Sequence, residues 1–90
     1  MAEITTAQIT VTATPTLLVQ ADTDGCIVIL HTHANHGVEI GSASVTAGTG
    51  FGLHTDETFE FRLPPNEALY GIRVGEQNQT VWVMRIGNRQ

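Results

Sequence analysis

The sequence contains no lysine, a single cysteine and no long apolar run. Apart from histidine, its basic residues are four arginines, set against nine carboxylates, so the formal net charge is −5. Nucleic-acid binding needs clustered cations, and an acidic surface is repelled by phosphate and by anionic membranes, so we expect neither as a partner. The lone cysteine excludes an intrachain disulfide, and no stretch approaches the roughly 20 apolar residues of a membrane-spanning helix.

The first six residues have neither the basic region nor the apolar core of a secretion signal. We therefore expect a protein that is made in a cytoplasm and leaves it only as part of an assembly.

Short alternating segments, rather than helical periods, dominate the chain. Residues 9–14 and 58–63 alternate between apolar and polar side chains, which is typical of strands with one buried face. About seven or eight such strands, with turn residues between them, predict an all-β fold. The expected architecture is an antiparallel β-sandwich with a jelly-roll-like order.

We expect one domain, because ninety residues are too few to bury two cores. The sandwich is assigned to residues 8–87. A flexible arm is expected before it, at residues 1–7, and a short tail after it, at residues 88–90.

The apolar run at residues 26–30 is the predicted centre of the fold. Five consecutive apolar residues are too few for an isolated helix and fit a strand that is covered on both faces. Residues 34–37 predict a tight hairpin, because Asn35, His36 and Gly37 tolerate positive φ, and the chain would return as a strand at residues 38–40. The glycine-rich segment 41–52 predicts a loop, and the side chains of Phe51 and Leu53 are expected to point to one side and plug the core.

The last strand, at residues 80–86, is apolar on both faces, as is the central strand. A sandwich of this size has one interior, so the surplus apolar face is predicted to contact another chain. The alternative is that the loop at residues 41–52 folds over it. The residues assigned to the oligomer or partner interface are Ile27, Ile29, Trp82, Met84 and Ile86.

Three histidines, His31, His33 and His36, lie in and just after the central strand. Residues i and i+2 of a strand share a face, so His31 and His33 could chelate one metal ion. With Gly25 and Glu39 the pattern resembles the first metal motif of cupins, but the glutamate lies too far from the second histidine, and no second motif follows. We therefore predict no cofactor and no enzyme activity, and the three histidines stay candidate ligands only. The alternative role for them is in surface or subunit contacts.

Several short motifs occur in an order that spans nearly the whole chain. They are Thr14-Pro15-Thr16-Leu17-Leu18-Val19, Val38-Glu39-Ile40-Gly41, Gly50-Phe51-Gly52-Leu53, Ala68-Leu69-Tyr70-Gly71-Ile72 and Val81-Trp82-Val83-Met84-Arg85. This order resembles small β-sandwich virion proteins of tailed bacteriophages, which are capsid decoration or head-fibre components. The histidine cluster departs from that family, in which asparagine is common at these positions.

The resemblance implies a capsid decoration protein on the outer surface of the virion, bound to the major capsid protein. It also implies self-association, often as a homotrimer. A tail, neck or fibre-base module is the alternative within the virion, and a minimal metal-binding cupin is the alternative among enzymes.

Overall fold

The computed structural model describes residues 4–32, 37–53 and 58–87, and these form eight β-strands. The strands are β1 (Ile4–Val11), β2 (Thr16–Val19), β3 (Cys26–Thr32), β4 (Val38–Gly41), β5 (Phe51–Leu53), β6 (Thr58–Leu63), β7 (Leu69–Arg73) and β8 (Gln79–Gly87). Sheet A has the order β1-β8-β3-β6 and sheet B the order β2-β7-β4-β5. The predicted all-β antiparallel sandwich is confirmed. The described ranges contain no helix able to cross a membrane.

The strand pairing is that of a jelly roll. Strand β1 pairs with β8, β2 with β7, β3 with β6 and β4 with β5, all antiparallel. The first half of the chain therefore pairs with the second half in reverse order. The β3–β8 and β4–β7 pairs then join these ribbons into two sheets. Eight strands nested in this way make the jelly-roll arrangement.

The chain does not return as a hairpin after β3. Strand β3 pairs with β6 and β8 in sheet A, whereas β4 pairs with β5 and β7 in sheet B. The hairpin predicted at residues 34–37 is therefore wrong, because residues that tolerate positive φ suit any sharp turn and do not specify the neighbouring strand. Residues 33–36 themselves lie outside the described ranges. As predicted, β3 has a strand on each side, but only one of its faces is fully covered.

Residues 4–7, predicted as part of a flexible arm, belong to β1. They pair with β8, from Ile4 opposite Ile86 to Ala7 opposite Val83. The arm prediction failed because residues 4–8 are exposed, so the alternation that marks a half-buried strand is missing although the main chain is paired. Residues 1–3 and 88–90 lie outside the described ranges.

Aliphatic side chains from both sheets fill the interior. The fully buried ones include Val11, Val28, Leu30, Val38 and Val81. Cys26 is a free thiol in the same core, where it packs as a small buried hydrophobe.

Contacts to Asp22 fasten one end of the sandwich. Its carbonyl accepts hydrogen bonds from the N–H groups of Gly25, at 3.1 Å, and Asn66, at 2.7 Å. Its carboxylate forms an ion pair with Arg85 of β8. Gly25 has φ +74°, and a Cβ there would lie 2.9 Å from the Leu63 carbonyl oxygen, so this turn requires glycine. The β2–β3 turn is thus tied to β8 of sheet A and to the loop between β6 and β7.

Candidate functional site

The outer face of sheet A carries the residues that the sequence assigned to an interface. Strands β3 and β8 alternate between buried side chains, which point inward, and half-buried or exposed ones, which point outward. The exception is Arg85, which is half-buried although it lies opposite the inward Val28. The register sets each outward side chain of β3 opposite one of β8. The pairs are Ile27 with Ile86, Ile29 with Met84, and His31 with Trp82. All five predicted interface residues therefore lie side by side on one face, and we call Ile27, Ile29, Trp82, Met84 and Ile86 the apolar patch.

Mostly polar side chains border the patch on both flanking strands. On β1 the outward residues opposite the patch are Ile4, Thr6 and Gln8. On β6 they are Thr58, Glu60 and Arg62. An apolar centre with a polar rim is the usual anatomy of a protein interface. Ile4, 63% exposed, extends the apolar area at one corner.

An aromatic pair occupies one end of the face. The ring of His31 stacks on Trp82, with centroids 5.2 Å apart and planes inclined by 19°. The His31 Nδ1 atom lies 2.8 Å from the Thr58 hydroxyl oxygen. These two contacts hold the imidazole against the indole, so Trp82 is presented in a fixed orientation. Beside it lies a shallow groove of about 580 Å³, whose lining includes Thr6, Gln8, Ile29, Trp82 and Met84.

The histidines predicted as candidate metal ligands are not brought together in the described structure. His31 lies on the outer face of sheet A and not between the sheets, and it already contacts Thr58. His33 and His36 lie outside the described residues. Within the ranges that are described, no group of three or more His, Cys, Asp or Glu side chains is placed to hold a metal ion. Of the three candidate ligands, His31 alone therefore lies within the described residues.

The outer face of sheet B is covered by a loop of the chain itself. Val45, in the loop between β4 and β5, is buried, and a Cβ at Gly41 or Gly50 would meet its side chain at 3.1 or 2.7 Å. The Glu39 carboxylate, projecting from β4, accepts hydrogen bonds from the N–H groups of Gly48, at 2.7 Å, and Gly50, at 3.1 Å. The loop at residues 41–52 was the alternative cover for the surplus apolar face, but the face that it covers is that of sheet B. No residue of this loop lines the groove over the apolar patch.

A second apolar surface was not predicted. Phe51, expected to plug the core, is 58% exposed. Its ring lies 5.2 Å from that of Phe59, which lies 5.4 Å from that of Phe61. Strands β5 and β6 are edges of opposite sheets, so this aromatic row follows an open side of the sandwich. The alternation in β6 predicts that its phenylalanines point inward, but it does not show that β6 lies at the edge of a sheet. Inward side chains of an edge strand are only partly covered.

Comparisons with known proteins give a fold and no family. No protein-family model and no curated protein matches the chain. Among solved structures, it is similar to a chain of Bacillus endospore appendages, described as disulfide-linked pili. The TM-score is 0.63, over 96% of this chain and 84% of that one, at 16% sequence identity, so the likeness shows a shared fold. The one cysteine of the present chain is buried in β3, away from any surface where it could link subunits.

Proposed function

We propose that this chain is a capsid decoration protein of a tailed bacteriophage, which binds the outer surface of the major capsid protein and reinforces the head. The observation that carries the proposal is the apolar patch on sheet A, which no loop of the described chain covers. The motif order that resembles phage decoration proteins supports the virion assignment. In this role the protein works by adhesion, with no catalytic group and no cofactor.

The size of the face indicates how such adhesion works. Four strands about 4.8 Å apart, with outward rows spread over about seven residues at about 3.3 Å each, give a projected area of roughly 400 Å². A stable interface buries about 800 Å² on each partner, so one such footprint is small. Self-association, as trimers in the proteins that this chain resembles, joins several footprints and strengthens binding through effective concentration.

The charge of the chain fits the outside of a shell. With a net charge of −5, the protein is repelled by the packaged DNA that lines the inside of a head. On the rim of the patch, Glu60 and Arg62 carry opposite charges, so the rim itself favours neither sign of partner.

A second candidate is a structural module of the tail, neck or fibre base of a virion. The likeness to a chain of endospore pili favours it, because the same fold there belongs to an appendage. Electron microscopy of the parent particle separates the two candidates by location: on the head surface for the first, at the neck or tail for the second.

Binding to heads of the parent phage that lack this protein tests the leading proposal. We expect the purified chain to co-sediment with such heads and Met84→Glu to bind at least about tenfold more weakly, since a buried carboxylate would be left unpaired. Val74→Glu is the matched control, because Val74 is also an exposed apolar residue but lies away from the patch. Failure of the unmodified chain to bind, or equal binding by both variants, contradicts the proposal.

A further inference from the structure

Among the described strands, β1 lies at an edge of sheet A with no neighbour on its outer side, and we propose that a second copy of this chain pairs with it there, β1 against β1 in antiparallel orientation. The inference rests on the proposed function and concerns its self-association, for which it puts a two-fold dimer in place of the trimer that the resemblance implies. It concerns the edge of the sheet, whereas the apolar patch occupies its face.

Three of the four edge strands carry features that discourage pairing. Strand β2 has four residues and a register shift, and β5 has three residues. Strand β6 carries Glu60 and Arg62. Short length, irregularity and charge are the devices by which natural sheets protect their edges. Strand β1 lacks all of them, since its eight residues contain no charge and no proline and pair with β8 in one unbroken register.

The main chain of β1 can bond on its outer side. In an antiparallel pair, alternate residues exchange hydrogen bonds with the neighbouring strand, and those between them direct their N–H and C=O groups away from it. Residues 4–8 and Thr10 are exposed, so these outward groups are accessible to a second strand.

A depression beside β1 gives the added strand a place for its side chains. It has a volume of about 340 Å³ and lies between the edges of β1 and β2, where its lining includes Thr5, Ala7, Leu18 and Val19. The side chains of Thr5 and Ala7 are small, so this side of the sandwich stays open. Inward side chains of a paired strand would lie over this opening.

The register of the pair follows from the faces. Opposite residues in an antiparallel pair point to the same face of the sheet. The two-fold axis that relates two copies of β1 must therefore run between the two copies of one residue, which then lie opposite each other. At Ala7 the axis pairs Thr6 with Gln8 and Thr5 with Ile9. In this register Val11, which is fully buried, lies outside the paired segment. So does Thr12, whose carbonyl accepts a hydrogen bond from the N–H of Arg73 in sheet B. The pair joins two copies of sheet A into one eight-stranded sheet, with both apolar patches on the same side.

Sedimentation velocity on Ala7→Lys tests the contact. Two lysines would face each other at the axis, so we expect dimer dissociation to become at least about tenfold easier, while circular dichroism shows an unchanged β fold. Ala43→Lys is the matched control, because Ala43 is an exposed alanine on the loop side of the molecule, and it should stay dimeric. A monomeric or trimeric unmodified chain, or equal association of the two variants, overturns the inference.

Cross-linking supplies a second readout. With Cys26 buried, Ala7→Cys adds the one accessible thiol, and a short thiol cross-linker should trap dimers of it faster than dimers of Ala43→Cys. Equal trapping overturns the inference. Met84→Glu should remain a dimer while losing binding to heads. A Met84→Glu protein that no longer forms a dimer refutes the edge contact, and one that binds heads as well as the unmodified chain refutes the proposed function, so the two can fail separately.

Discussion

The outer face of sheet B lies beneath a loop of its own chain, whereas the outer face of sheet A carries the apolar patch with no such cover in the described structure. Ile72 on sheet B is 5% exposed and Met84 on sheet A is 36% exposed, although both project from interior strands. The comparison teaches that the chain buries the surplus apolar area of one sheet under its own loop and leaves that of the other sheet partly exposed in the described structure, where the proposed partner would bind.

Side-chain size explains why the loop covers one face and not the other. On sheet B, Gly41 and the adjoining Gly50 leave room for Val45 to approach the main chain. On sheet A, the corresponding surface is built from large side chains such as Trp82 and Ile29. Flat, close packing by a loop suits the first surface, and a large complementary partner suits the second.

The largest stability effect is expected where the loop touches sheet B. In Gly50→Ala, the added Cβ would lie 2.7 Å from the Val45 side chain and 2.9 Å from the Ile40 carbonyl oxygen. We expect a loss of about 2 kcal/mol in the free energy of unfolding, measured by urea denaturation. Gly52→Ala is the control, because a Cβ there meets nothing within 4 Å. Equal effects of the two substitutions would show that the loop does not pack as described.

Val45→Ala should cost slightly less. Removing two buried methyl groups at about 0.8 kcal/mol each predicts a loss of about 1.5 kcal/mol. Val74→Ala, at a position that is half exposed, should cost less than about 0.5 kcal/mol. The same denaturation experiment measures both, and a Val45→Ala protein as stable as the unmodified chain would mean that the loop adds no burial.

Glu39→Gln tests the polar attachment of the loop. The carboxylate accepts two backbone hydrogen bonds, and an amide oxygen would accept them without the charge, so we expect a loss of about 1 kcal/mol. Glu60→Gln, on the exposed rim of sheet A, should change stability by less than about 0.5 kcal/mol. A larger effect at Glu60 than at Glu39 would reverse the comparison between the two faces.

The smallest effect on folding is expected on the apolar patch itself. Met84→Gln should alter the free energy of unfolding by less than about 0.5 kcal/mol, because the side chain is already exposed. Its binding to phage heads should nevertheless fall, whereas Met84→Leu should keep it. If Met84→Gln unfolds the protein as readily as Gly50→Ala does, the patch belongs to the core.

Much of the architecture was predictable from local patterns. The alternation at residues 58–63 identifies β6, and the apolar character of β3 and β8 on both faces selects residues that the register does place together. Their role in an interface stays a prediction. The neighbour of each strand was not predictable, because a turn-forming pattern such as that at residues 34–37 does not specify which sheet the next strand joins. The edge position of β6 was equally hidden, so the exposure of Phe51 and its neighbours was missed.

The nesting of the strands has a consequence for biosynthesis. In sheet A, β8 lies between β1 and β3, yet it is the last of the eight strands to be synthesised. While the ribosome still holds residues 79–87, β1 and β3 have no common neighbour, and neither half of the chain can close a sheet alone. Completion of sheet A must therefore await β8, and pairings between segments so distant in sequence form slowly. Until then β1 and the β3–β6 pair lack the strand that joins them, and unpaired strand edges of this kind favour aggregation.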